Sequence, residues 1–150
     1  MPDKYDVPPT KPGMVQEMVM KYNVNSGNEF AMVSRAQNGV EVSAFFDLLE
    51  ISDLSKEELS SLLDLSYKTI QRYEKHGKKL NALNSEQLLK MIALYEKAEE
   101  VFGSIPSFNR WLRKPAVGLG SHIPLQFMQT PGGIDLIREE LIRIEYGALA

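Results

Sequence analysis

A chain of 150 residues buries one respectable core or two small ones, because the buried fraction of the surface rises slowly with size in this range. Its hydrophobic share of 43% and charged share of 25% exclude wholesale disorder and fibrous classes. The lack of any cysteine excludes disulfides, thiolate metal sites and cysteine nucleophiles, while a formal net charge of −3 argues against bulk electrostatic coating of nucleic acid and leaves room only for a local basic face.

No apolar run approaches the roughly 18 to 20 residues needed to cross a bilayer, and residues 1–13 contain no hydrophobic leader. A cytoplasmic protein without membrane association is expected. His76 and His122 stand far apart and belong to no ligand-spaced cluster, so neither a metal nor another cofactor is expected.

In chain order, Pro2, Pro8, Pro9 and Pro12 fix φ and remove backbone donors, which predicts an extended arm. Met14, Val15, Met18 and Val19 fit a short helix or a strand equally well, and periodicity cannot arbitrate at this length. Phe30, Met32, Val33 and Ala36 precede Gly39, a natural residue just beyond a helix C-terminus. Val42, Phe45, Phe46, Leu48 and Leu49 predict the next helix, ended by Ser52 and Asp53. Ser55 followed by Glu58 forms a capping box that opens a helix carrying Leu59, Leu62 and Leu63. Asp64 and Leu65 then make a tight turn, and Ser66 caps a further helix through Tyr67, Ile70 and Tyr73. After a loop over residues 77–83, Asn84 and Ser85 are expected to start the longest amphipathic run, with Leu88, Met91, Ile92, Tyr95 and Ala98 on one face and Gly103 at its end. Four prolines and five glycines then limit helices to short pieces. The exception is a final amphipathic helix from about Gly133 to Glu145, carrying Ile134, Ile137, Leu141 and Ile144. No alternating strand pattern occurs, and the predicted class is all-α.

Residues 56–75 have the spacing of a helix-turn-helix, whose second helix presents its N-terminal half to base edges. With Leu65, Ile70 and Tyr73 inward, Tyr67, Lys68, Thr69, Gln71, Arg72 and Lys75 are the outward, DNA-binding candidates. Arg and Gln can contact purines bidentately, and Lys, Thr and Tyr can reach phosphates. Lys68, Arg72, Lys75, Lys78 and Lys79 oppose only Asp64 and Glu74 in this stretch, a basic surplus in an acidic chain. A solvated helix looks similar, and Asp64 stands where such turns often carry glycine, although aspartate tolerates the left-handed conformation.

Catalytic patterns are weak. The adjacent pairs Glu57-Glu58, Glu99-Glu100 and Glu139-Glu140 point apart on a helix. Ser121-His122 lacks an acidic orienter and the geometry of a nucleophile and its base. Gly118-Leu119-Gly120 lacks the pattern and strand context of a phosphate loop. Trp111 and Leu112 read as a plug for a small core. No enzyme is expected.

The segment Trp111-Leu112-x-x-Pro115, the Gly118-Leu119-Gly120 turn, Pro124-Leu125, Thr130 and the closing Arg143-Ile144-Glu145-Tyr146-Gly147 resemble the toxin-binding domain of Xre/MbcA/ParS antitoxins. Residues 41–103 likewise resemble the Xre-like helix-turn-helix domain that precedes it. The resemblance divides the chain into residues 1–29 (arm and a short segment), 30–103 (helix-turn-helix domain) and 104–150 (toxin-binding domain). It implies a cognate toxin, typically a RES-domain enzyme that destroys NAD, held inactive when the C-terminal domain covers its cleft. It also implies a homodimer that binds operator DNA and represses its own operon. Arg138, Arg143, Glu145, Tyr146 and Gly147 are then the expected toxin contacts. The alternative is a helix-turn-helix regulator with no toxin partner.

Overall fold

The computed structural model describes residues 13–147; the proline-bearing arm up to Pro12 and residues 148–150 lie outside the described residues. Within them the chain is all-α. Helices α1 (Met14–Lys21), α2 (Glu29–Gln37), α3 (Ser43–Ile51), α4 (Lys56–Leu62), α5 (Tyr67–Lys75) and α6 (Ala82–Phe102) are followed by α7 (Ile105–Leu112), the 3-10 turns η1 (Val117–Leu119) and η2 (Pro124–Gln129), and α8 (Pro131–Gly147). One antiparallel bridge, between Ala116 and His122, is the only β pairing among the described residues.

The local punctuation works as read. Ser55 Oγ accepts from the Glu58 amide and Glu58 Oε1 accepts from the Ser55 amide, both at 3.0 Å, closing the capping box of α4. Ser66 Oγ accepts from the Thr69 amide at 3.1 Å at the start of α5. The segment that periodicity left open between helix and strand is helix α1. It buries Val15, Met18 and the following Tyr22, whose hydroxyl donates to Asp47 at 2.5 Å.

Two helix starts differ from expectation. The long helix does not begin at Asn84 and Ser85. It begins at Ala82, capped by Asn81, whose Oδ1 accepts from the Asn84 amide at 2.8 Å. Asn84 and Ser85 are buried one turn inside because their side chains are needed for tertiary hydrogen bonds. Ser85 Oγ accepts from the Val40 amide at 2.9 Å and donates to the Leu80 carbonyl at 3.2 Å. The last helix likewise starts earlier, at Pro131, where a missing N–H costs nothing, and Thr130 Oγ1 accepts from the Gly133 amide at 3.0 Å.

Nor is α6 amphipathic. Leu88, Leu89, Met91, Ile92, Ala93, Leu94, Tyr95 and Ala98 are all buried, because α1, α2, α7 and α8 pack around it. A helix buried on every side over its middle turns, here 87–95, is a core helix. One hydrophobic cluster runs from Val15 to Leu141 through it, so the helix-turn-helix and the C-terminal segment share a core. Buried Lys90, 7% exposed, ties the outer layers to this axis: its ammonium lies 2.8 Å from Asp135 of α8, 3.1 Å from Glu29 of α2 and 3.3 Å from Glu86. Burial alone would lower its pKa, but the hydrogen bonds to Asp135 and Glu29 outweigh that and raise it.

Candidate nucleic-acid and partner interfaces

The turn between α4 and α5 bends through Asp64, whose φ of 56° places it in the left-handed region. Aspartate is one of the few side chains tolerated there, so the turn closes without glycine. The end of α4 would leave carbonyls without intrahelical partners, and two buried amides of α6 satisfy them. Asn84 Nδ2 donates to the Leu63 carbonyl at 2.8 Å, and Gln87 Nε2 donates to the Leu62 carbonyl at 3.0 Å. The same Gln87 nitrogen donates to the Gln129 carbonyl at 2.9 Å, just ahead of α8.

Residues of an α-helix follow one another at about 100°. Taking Tyr67 as the origin, Gln71, Lys75, Lys68 and Arg72 fall between about 40° and 140°, opposite the buried Ile70. All four are exposed. The other two outward candidates are oriented differently. Tyr67 is half-buried, with its ring centroid 6.2 Å from Phe45 and 6.4 Å from Phe46, because α3 supplies an aromatic surface that sequence spacing does not reveal. Thr69 is also half-buried, and its hydroxyl lies 2.9 Å from Ser66 Oγ within the cap.

Of the nine described lysines and arginines outside residues 56–79, all but Arg110, Lys114 and Arg138 are ion-paired, and within 56–79 none is. Lys21, Arg35, Lys90, Lys97, Arg113 and Arg143 each stand in an ion pair, whereas Lys56, Lys68, Arg72, Lys75, Lys78 and Lys79 form none among the described residues. The helix-turn-helix therefore presents a surplus of positive charge over Glu57, Glu58, Asp64 and Glu74 on an otherwise acidic chain, as phosphate binding requires.

Arg113 clamps the C-terminal segment to the first helix of the motif. Its guanidinium donates to Asp53 at 3.0 Å and to both Glu58 oxygens at 3.0 Å, and it holds the Glu58 carboxyl below its ordinary pKa. Trp111 is half-buried and stacks on Phe108 at 5.9 Å, with Leu112 buried beside it.

The five expected toxin contacts all lie on α8 but do not share one face. Arg138 reaches back to the Ala93 carbonyl at 3.4 Å, and Glu145 binds Lys97 at 2.7 Å, an attraction that raises the Lys97 pKa. Arg143 is exposed but folds onto Glu140 at 2.6 Å. Tyr146, 71% exposed, and Gly147 extend into solvent. Leu136 and Ile142 are also exposed and fall on the same outer arc as Arg143 and Tyr146. The sequence did carry a signal for these two: they are apolar residues off the core row of Ile134, Ile137, Leu141 and Ile144.

Gly118 lies where a Cβ would strike the Glu140 carboxylate, so its role is close packing, and that carboxylate would repel a phosphate. His122 is an exposed turn residue with Nδ1 3.1 Å from the Leu119 carbonyl, and the adjacent Ser121 occupies the left-handed region at φ 63°.

Residues 31–93 match the family model described as the antitoxin Xre-like helix-turn-helix domain, and residues 97–147 match the one described as the antitoxin Xre/MbcA/ParS C-terminal toxin-binding domain. No curated protein matches the chain. Among the described residues, no helix is long and apolar enough to cross a membrane.

Proposed function

The chain belongs to the Xre/MbcA/ParS antitoxins, and from that premise we propose that it neutralises a RES-type, NAD-degrading toxin and represses its own operon as a DNA-binding homodimer. It acts by binding and not by catalysis, in the cytoplasm. The observation that carries this reading is the presence of two exposed surfaces on one continuous core. One is the cationic row of Lys68, Gln71, Arg72 and Lys75 on α5; the other is the outer arc of α8 ending at Tyr146.

An exposed helix with an aromatic at its tip suits a concave enzyme cleft. Aromatic and arginine anchors dominate interface energetics, and a ligand site takes a protruding group readily. Leu136, Ile142, Arg143, Tyr146 and Gly147 form the toxin-facing surface. Arg138 and Glu145 hold that helix against α6 and thereby fix its position. At the other end, α5 enters the major groove, and a dimer engages two half-sites together, which raises operator affinity beyond that of one protomer.

The test is co-expression with the operon neighbour, followed by affinity pull-down and measurement of cellular NAD. A stable complex with NAD maintained is the expected result. A neighbour whose expression leaves growth and NAD unchanged with or without this chain would overturn the toxin assignment.

A further inference from the structure

Three of the unpaired cations are not loose: each rests on a tyrosine ring. Lys56 Nζ, from the first residue of α4, lies 4.7 Å from the centroid of Tyr67, the first residue of α5. Lys78 Nζ, just beyond the C-terminus of α5, lies 4.5 Å from the centroid of Tyr73, and the Arg72 guanidinium is 5.8 Å from the same ring. An aromatic face attracts a cation without cancelling its charge. A carboxylate partner, such as Asp47 for Lys21, would orient the cation and neutralise it together.

Tyr67 adjoins one edge of the exposed row, and Tyr73 lies past the other edge, set back from it. With Tyr67 at 0° on the helical wheel, the row of Gln71, Lys75, Lys68 and Arg72 occupies about 40° to 140°, and Tyr73 falls at about 240°. Lys56 therefore borders the row near the start of α5, and Lys78, seated on Tyr73 just past the end of α5, lies beyond the other edge of the row. An α-helix with its side chains is about 10–12 Å across, and the major groove is about 12 Å wide. A helix seated there has a phosphate backbone along each flank.

We infer that Lys56 and Lys78, each poised on a tyrosine, bind phosphates of the two opposite strands of duplex DNA and so set the depth and tilt of α5 in the groove. This rests on the operator-binding reading above and adds a second set of contacts to it. Such contacts position the protein without reading sequence, so they serve operator and unrelated duplex alike.

The experiment measures binding of the full chain to two duplexes, the DNA immediately upstream of its own coding sequence and an unrelated sequence of equal length, across a salt series. Wild type is compared with Lys56→Gln, Lys78→Gln, the double variant and Arg72→Ala, each checked for an unchanged melting temperature. Each lysine removed is expected to flatten the slope of log affinity against log salt by about 0.9, and the double variant by about twice that. Both duplexes should weaken by the same factor, whereas Arg72→Ala should weaken the upstream duplex more than the unrelated one. If Arg72→Ala behaves so while the double lysine variant keeps the wild-type slope, the inference is overturned and the operator reading stands. If wild type binds neither duplex, both fall together.

Discussion

The side-chain nitrogen of Gln87 donates at once to the Leu62 carbonyl at the end of α4 and to the Gln129 carbonyl ahead of α8. One buried amide thus joins the turn of the helix-turn-helix to the segment that launches α8. Gln87→Leu keeps the volume approximately but strands two acceptors, each at about 1–3 kcal/mol. Urea unfolding should show one cooperative transition with a lowered midpoint, reported alike by far-ultraviolet circular dichroism and Trp111 fluorescence. A midpoint unchanged from wild type would mean that the halves do not depend on this link.

Gln71 and Arg72 are exposed, and neither makes an ion pair or a tertiary hydrogen bond among the described residues. Gln71→Ala and Arg72→Ala should therefore change stability by less than about 0.5 kcal/mol. Each should cost about 1–3 kcal/mol of operator discrimination, read in a gel shift, while toxin capture is retained. Loss of both activities would point to a folding defect or a different DNA-reading element.

Tyr146 projects from the last turn of α8, which the Lys97–Glu145 pair anchors. Tyr146→Ala should weaken toxin binding by at least about 2 kcal/mol, roughly 30-fold, and truncation after Ile142 should release the toxin. DNA binding should survive both changes. A truncated chain that still inhibits the toxin would remove the C-terminal residues from the interface.

The Arg113–Glu58 pair has a definite sign with pH. Arg113 and the Ser55 backbone lower the folded-state pKa of Glu58, so its contribution is complete above the unfolded carboxyl value. That contribution is lost as pH falls through the unfolded value and then the folded one. Both partners are partly exposed, which limits the effect to about 1 kcal/mol or less. Arg113→Met should accordingly narrow the stability gap between pH 6 and pH 3 by that amount in denaturant titrations. An unaltered pH profile would show that the pair contributes nothing to stability.

What could be read from the sequence was local. The capping box of Ser55 and Glu58, the Ser66 cap, the turn at Asp64 and the cationic row on α5 all depend on residues within one or two turns of each other. What could not be read depends on distant partners. Asn84 looked like an ordinary helix start and Gln87 carried no signal, because the carbonyls they satisfy lie 21 to 42 residues away. Arg113 meets Glu58 across 55 residues. The inward lean of Tyr67 depends on Phe45 and Phe46, and the choice of outer residues on α8 depends on which of them α6 already occupies.

The residues matched by the two family models end at position 93 and resume at position 97, both inside the unbroken helix α6. A chimera made at that seam, to lend one antitoxin's toxin choice to another's operator, would splice together two halves of a buried rod. Its success would turn on whether Leu94, Tyr95 and Ala98 of one parent fit the cavity lined by the other. Exchange of specificity within the family is thus constrained by the fit of this axis, and grafts that carry the whole of α6 with its neighbours should fold where grafts at the sequence boundary fail.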